Sequence, residues 1–276
     1  MSISVITNRS AMHALRQLNS SKPELEDIQA RMNTGRKING AKDNGAIYGM
    51  AQTLRSDISG WGAVTDSLDT AISTGEVALS ATEALNDLLL EMKEKALEAA
   101  DPAMDSRGRS ILNEDFTVLR NQIDTVVRNA QFNGINLIDG SATGIYPVTD
   151  VNGGHSVSMQ GFDLRVGGSD SSVTATTVID PLEAAREALE RIKDTLDAQN
   201  LITNHFGGRI RTMETTRTLA VNTSDVLAKN LGNLVDADLG KEAARLQAAQ
   251  TKQQLRVQAL NIANQIPTFA ARLFGQ

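Results

Sequence analysis

Residues 47–79 read IYGMAQTLRSDISGWGAVTDSLDTAISTGEVAL, and within them Ile47, Met50, Leu54, Ile58, Trp61, Thr65, Leu68, Ile72, Gly75 and Leu79 recur in steps of three or four. Steps of that size put these residues on one face of a helix, the seam of a coiled coil. Leu85, Leu89, Met92 and Ala96 carry the seam on, and no proline interrupts residues 24–101. The spacing therefore predicts one helix of about 55 residues, on the order of 80 Å long at the α-helical rise. A single globule of this size has no use for a helix that long. The expected fold class is mainly α, a long antiparallel coiled-coil or helical-bundle rod.

Working outward, Asp101-Pro102-Ala103-Met104-Asp105 is a helix stop. Beyond it Leu112, Phe116, Leu119, Ile123, Val126 and Ala130 again step by four and three, so a second helix should turn back antiparallel. Phe132-Asn133-Gly134 breaks the pattern, and a boundary falls near Gly140. Residues 141–180 hold eleven Ser/Thr, six Gly and five charged residues, with short alternating runs at 155–159 and 162–166. This composition predicts one or two small β-hairpins with exposed loops. At Asp180-Pro181 a capping residue precedes a proline suited to a first helical turn. The next helical stretch reads Leu182, Ala185, Leu189, Ile192 and Leu196. It resumes at Phe206, Ile210 and Met213, passes the polar Arg217, and continues through Ala220, Leu227, Leu231 and Leu234. The expected rod core is Leu54, Ile58, Trp61, Leu68, Ile72, Phe116, Leu119, Ile123, Ile210 and Met213.

The two ends are also helical in pattern. Ala11, Leu15, Leu18, Lys22, Leu25, Ile28 and Met32 form one N-terminal stripe. The C-terminal segment carries two opposed stripes: Leu255, Ala259, Ile262, Ile266, Phe269 and Leu273 on one side, Leu246, Val257 and Leu260 on the other. A helix with two apolar faces wants two neighbours. Pairing of the N- and C-terminal helices within one chain covers one face, and the Leu246, Val257 and Leu260 face is expected to remain open. Self-association is the simplest way to cover it.

Composition narrows the function. Lys+Arg number 27 against 33 Asp+Glu, a formal charge of −6, which leaves no basic field for nucleic acid or an anionic membrane. No run approaches the roughly 20 apolar residues of a membrane span. The opening residues, MSISVITNRSAMHALRQL, lack the charged head, apolar core and cleavage site of a secretory signal peptide. Absence of cysteine excludes disulfides, thiol catalysis and Cys-ligated metals. His13, His155 and His205 are scattered without metal-ligand spacing. Gly153-Gly154 and Gly167-Gly168 read as turns, because they lack the helix and the Lys-Ser/Thr of a phosphate loop. Asp236, Asp238 and Glu242 diverge around a helix and read as solvated or capping. Trp61, on the seam, reads as core packing. Glu91 precedes Lys95 by four residues, the spacing of an exposed helix pair. No metal or other cofactor is called for, and the chain is not expected to be an enzyme.

Arg31-Met-Asn-Thr-Gly-Arg-Lys-Ile-Asn-Gly-Ala-Lys-Asp-Asn-Gly45 resembles the N-terminal signature of bacterial flagellin, whose usual form is an Arg-Leu-Ser-Ser-Gly…Ile-Asn-x-Ala-Lys-Asp-Asp run. Asn129-Ala-Gln-Phe-Asn-Gly-Ile-Asn-Leu-Ile-Asp-Gly140 resembles the family's Phe-Asn-Gly element. Asp236-Ala-Asp-Leu-Gly-Lys-Glu242 and Gln258-Ala-Leu-Asn-Ile-Ala-Asn-Gln265 resemble its C-terminal signature. The four motifs span nearly the whole chain in order, and the short insert is similar to that of alphaproteobacterial flagellins. The resemblance implies that 1–45 and 227–276 are inner-tube helices of a filament, 46–140 and 181–226 the surrounding rod, and 141–180 a short variable part. It implies a structural subunit that assembles with copies of itself into the flagellar filament used for swimming. The partners implied are the flagellar secretion apparatus, a C-terminal export chaperone, the filament cap and the hook-associated junction proteins. The location implied is secreted and extracellular.

The insert is short beside the outer domains of many enteric flagellins, which implies a thin, smooth filament, and the end reads Leu273-Phe-Gly-Gln276 instead of the commoner Leu-Leu/Phe-Arg. A hook–filament junction protein of the same superfamily is the near alternative. An adhesin or enzyme displayed on a filament is a more distant one, because forty Ser/Thr/Gly-rich residues leave little room for a ligand pocket. Serines and threonines of 141–180 are candidates for glycosylation. Enteric flagellins read Leu-Gln-Arg-Val-Arg-Glu-Leu-Ala-Val-Gln-Ala where this chain has Leu89–Ala99, so Glu91 replaces an arginine and Lys95 a leucine. The resemblance then implies poor recognition by the flagellin-sensing Toll-like receptor.

Overall fold

Asn44 interrupts the first turn of the longest helix, and the unbroken helix runs on from it. In the computed structural model, which describes residues 7–273 and the side chains of 7–265, its backbone is extended at φ −164° and ψ 104°. Its Oδ1 accepts from Ile47 N at 3.1 Å, the bond of an N-cap. Just before it, Asp43 Oδ2 accepts from Asn39 N at 2.7 Å and Gly40 N at 3.2 Å. These backbone bonds, aided by the charge of Arg31, hold the Asp43 carboxyl below its ordinary value. In chain order the elements are α1 (Arg9–Thr34), α2 (Ala41–Ala99), α3 (Ser106–Asn129), β1 (Gln131–Phe132), β2 (Ile135–Asn136), β3 (Gly144–Ile145), β4 (Met159–Gln160), α4 (Leu182–Val235) and α5 (Leu239–Leu273). They form two compact units: residues 57–226, and the residues up to Ser56 together with those from Leu227 onward.

In the 57–226 unit α2 buries Val64, Leu68, Ala71, Gly75, Ala78, Thr82, Leu85, Leu89, Met92, Ala96 and Ala99, an unbroken alternation of fours and threes. The expected seam exists, but its centre is one residue away over part of its length. Val64, Ala71 and Ala78 occupy it, while Thr65, Ile72 and Leu79 flank it half-buried. Close approach selects the smaller residues: a Cβ on Gly75 would lie 2.6 Å from Met159 Cε and 3.1 Å from Ile210 Cγ1. α4 runs antiparallel to α2, since Gln199 Nε2 donates to Thr82 O at 3.0 Å, Ile210 meets Gly75 and Arg217 pairs with Asp69. Along α4 the buried positions Ile202, Phe206, Ile210 and Met213 step by four, four and three. The doubled four departs from the heptad and locally unwinds the supercoil.

α3 is joined to the end of α2 by Arg109, a buried residue whose guanidinium donates to Met104 O at 2.7 Å and Ala99 O at 3.0 Å. The Ala99 carbonyl is one that the end of α2 leaves without a helical partner, and that of Met104 belongs to the loop before α3. Phe116, Ile123 and Val127 enter the same core as α2 and α4. Buried Asn136 closes the other end of α3, donating through Nδ2 to Val127 O at 2.6 Å.

The β content is smaller than expected within 141–180. The runs at 155–159 and 162–166 yield only β4, paired antiparallel with β3 over two residues. An unexpected hairpin, β1 with β2, turns at Asn133 (φ 50°) and Gly134 (φ 79°), the left-handed pair of a two-residue primed turn. Nor is the segment mainly exposed loop. Val157, Met159, Leu164, Val173 and Ile179 join the helical core. Polar bonds tie the same stretch down: Val166 N to Asp124 Oδ1 at 3.0 Å, Arg120 to Thr177 O at 2.7 Å, Ile179 N to Asn113 Oδ1 at 2.9 Å, and Ser172 N to Thr195 Oγ1 at 3.0 Å.

Candidate functional site

The N- and C-terminal signature stretches, some 200 residues apart in the chain, meet in one unit. α1 ends at Gly35 in the left-handed region, φ 67°. Arg36 then bridges Asp236 antiparallel, with Lys37 N donating to Val235 O at 2.7 Å and Ala237 N to Gly35 O at 2.9 Å. Lys37 Nζ adds a bond to Asn233 O at 2.8 Å. Asp238 caps α5, its Oδ1 accepting from Lys241 N at 3.1 Å. Asp236 is exposed, whereas Glu242 is buried and takes Arg245 at 2.6 Å.

α1 and α5 pack on each other. The positions withdrawn from solvent are Ala11, Ala14, Leu18, Ser21, Leu25, Ile28 and Met32 on α1, and Glu242, Leu246, Ala249, Gln253, Arg256, Leu260 and Ala263 on α5. Both sets step by fours and threes. This corrects the expected stripes in two places. Leu15 is 46% exposed and Lys22 is exposed, with Ala14 and Ser21 inside instead. Leu246 and Leu260 lie in the shared seam, while Leu255 (59% exposed), Val257 (42%) and Ile262 (63%) face out. Two long-range bonds fix this rotation: Asn8 Nδ2 donates to Ala263 O at 2.7 Å, and Arg256 to Gln17 O at 3.0 Å. Small side chains at 14, 21, 249 and 263 then allow the backbones to approach. Ile266, Phe269 and Leu273 lie outside the residues whose side chains are described.

The pair therefore has a mixed seam of leucine, isoleucine and methionine with small and polar residues, and further large apolar side chains, Met12 and Leu15 on α1 and Leu255, Val257 and Ile262 on α5, point away from it. In the other unit Leu68, Phe116, Ile123, Ile210 and Met213 are buried, Trp61, Ile72 and Leu119 pack half-buried against them, and Ile58 is half-buried. Leu54 is half-buried too, but Met50 is 57% exposed and its neighbour Ala51 is buried in its place. Glu91 is exposed and Lys95 half-buried, and among the described residues they form no ion pair, in contrast to the expected helix pair. Among the described residues no three His, Asp or Glu side chains group as metal ligands, and no helix is long and apolar enough to cross a membrane.

Two family models cover most of the chain: the bacterial flagellin N-terminal helical region over residues 5–143 and the bacterial flagellin C-terminal helical region over residues 187–274. The chain belongs to the bacterial flagellin family. Its relatives form the extracellular flagellar filament, and this chain is a structural subunit of a flagellar filament. It is 40% identical over 271 residues to flagellin FljM of Caulobacter vibrioides, covering 98% of both chains. It is 30% identical over 270 residues to a flagellin of Brucella melitensis, covering 95% of both. Both relatives are alphaproteobacterial. A solved structure described as a putative flagellar hook-associated protein from Vibrio parahaemolyticus shares the fold, with a TM-score of 0.56 at 15% identity over 70% of this flagellin and 100% of that chain. Full-length matches to flagellins leave the hook–filament junction reading unfavoured.

Sequence reasoning missed the capping arginine, Arg109, and the closing asparagine, Asn136. Asn136 had a readable signal, since Asn-Gly between apolar residues at 132–135 marks a hairpin that returns the chain to the end of α3. Arg109 had none, because its partners are backbone carbonyls.

Proposed function

We propose that this flagellin polymerises through the apolar faces that its α1–α5 pair turns outward, and that the polymer is a filament for swimming. The observation that carries this reading is the set of large apolar side chains the pair leaves outside: Leu15 on α1 and Leu255, Val257 and Ile262 on α5. Exposed apolar side chains on helices with a sparse seam gain more from neighbouring copies than from each other. In this reading 1–45 and 227–276 are inner-tube helices, 46–140 and 181–226 form the rod, and 141–180 is a short insert. The chain reaches the growing tip through the flagellar secretion apparatus, with a chaperone on its C-terminal helix, beneath a cap and upon hook-associated junction proteins. It does no chemistry. The receptor-facing stretch at Glu91 and Lys95 is a poor ligand for the flagellin-sensing Toll-like receptor, because it offers a carboxylate and an ammonium where enteric flagellins present an arginine and a leucine. Comparable half-maximal doses in a reporter-cell assay against an enteric flagellin would refute that part. Electron microscopy of purified chain after a salt or seed trigger tests the whole: long helical filaments support it, and persistent monomers of the unaltered chain overturn it.

A further inference from the structure

His205 sits on α4 at the doubled step of four, immediately before Phe206, Gly207 and Gly208. Its ring meets Phe162 edge to face, with centroids 5.5 Å apart and planes at 81°. Phe206 makes the same kind of contact with Phe162 at 5.6 Å and 88°. Phe162 belongs to the irregular segment before α4, and it is itself the hub of a backbone clasp. Phe162 N donates to Leu137 O at 2.7 Å, Phe162 O accepts from Gly140 N at 3.0 Å, and Leu164 N donates to Ile138 O at 2.9 Å. The ring that α4 adds to the Phe162–Phe206 contact is thus ionisable, and its Nε2 is buried with no hydrogen-bond partner among the described residues.

We propose that protonation of His205 is an acid-operated release for the 137–166 clasp, loosening the insert from α4 while the helical core persists. Nε2 is buried without a hydrogen-bond partner, and the rings against the imidazole, Phe162 and Phe206, carry no oxygen or nitrogen to accept from a charged ring. From its own helix the charge that reaches the ring is that of Arg209, which opposes a second cation. From the clasp, Asp163 is spent on Arg165 in a two-bond pairing, and Asp139 accepts from Ser141. From α3, Asp124 accepts from Val166 N and lies near Arg128. On α2, Glu76, next to the position that meets Ile210, and Glu83, next to the one that meets Gln199, are exposed. Burial first, and Arg209 second, hold the ring's affinity for protons below the ordinary value of 6.5. The docked form therefore binds fewer protons than the released form. Docking is at full strength above 6.5, weakens as pH falls below it, and stops weakening once the folded value is passed.

The inference does not depend on polymerisation and is tested on the full-length chain in solution. Amide hydrogen exchange, corrected for its intrinsic pH dependence, is read at Phe162, Leu164 and Val166 at about pH 7.5 and about pH 5. Protection should fall by up to about tenfold for each pH unit between 6.5 and the folded value, while the amides of Leu85 and Leu89 stay unchanged. His205→Phe keeps a ring and removes the charge, so its clasp should stay protected at both pH values. His155→Gln, at an exposed histidine of the same segment, should retain the wild-type drop. If His205→Phe misfolds, the His205 ring resonance is followed instead, and it must titrate in step with the Phe162 amide. Equal protection at the two pH values in the wild type overturns the proposal, as does a ring that titrates at 6.5 or above. An undiminished drop in a folded His205→Phe overturns it as well.

Discussion

The two units use the same heptad grammar for opposite ends. In the 57–226 unit the seam is filled by Leu68, Leu85, Leu89, Met92, Phe116, Phe206 and Met213, and small residues appear where helices must approach. In the terminal unit the seam mixes Leu18, Leu25, Ile28, Met32, Leu246 and Leu260 with small and polar residues such as Ala14, Ser21, Ala249, Gln253 and Ala263, and Leu255 and Ile262 face water. Burial of apolar area is the main stabilising force, so the first unit, which holds the large fully buried side chains, is stable by itself although Leu97, Leu201 and Leu219 stay exposed, and the second has less buried area to hold it. Periodicity alone says that a helix has an apolar face. Which partner covers that face depends on how large the residues on it are.

Replacement of Ile262 or Leu255 by aspartate should separate the units most sharply. Filaments disappear by electron microscopy, while circular dichroism of the monomer is unchanged, because an exposed carboxylate costs nothing until a copy tries to bury it. Normal filaments from either variant would show that the outward stripe is not an interface. Phe116→Ala acts the other way round. It should lower the stability of the 57–226 unit by about 3–5 kcal/mol in denaturant unfolding, as expected for emptying a fully buried aromatic site. Arg109→Ala strips donors from the carbonyls of Ala99 and Met104 and should cost about 1–3 kcal/mol in the same measurement. Leu260→Asp falls in the α1–α5 seam and should reduce monomer helicity, a result that Leu255→Asp does not give. The smallest effect belongs to Asp43. Its depressed carboxyl supports the 39–43 loop above its ordinary value of 3.8, and that support is lost as pH falls through the lower folded value. Asp43→Asn should flatten this acid dependence in a helicity titration.

Much of this was legible in the sequence because step sizes survive any tertiary detail. The long helix, its stop at Asp101-Pro102, and the return through Phe116 and Ile123 all follow from threes and fours. Rotation about the helix axis was less legible: Met50 against Ala51 and Leu15 against Ala14 are choices between adjacent faces. A hydrophobicity pattern ranks the larger residue first, whereas close helix packing admits the smaller one. The 141–180 segment misled in a different way, since its Ser/Thr/Gly composition suggests exposed loops although Val157, Met159, Leu164, Val173 and Ile179 dock in the core. Side-chain bonds from Asn113, Arg120, Asp124 and Thr195 hold that segment, and such bonds leave no periodic trace in the sequence.

Amide hydrogen exchange on the monomer and on the assembled filament, compared helix by helix, tests the contrast between the units most directly. The account predicts slow exchange from Val64 to Ala99 and from Ala185 to Met213 in both states, with α1 and α5 exchanging faster than these in the monomer and gaining protection in the filament. Equal protection of α1 and α5 in monomer and filament would contradict it.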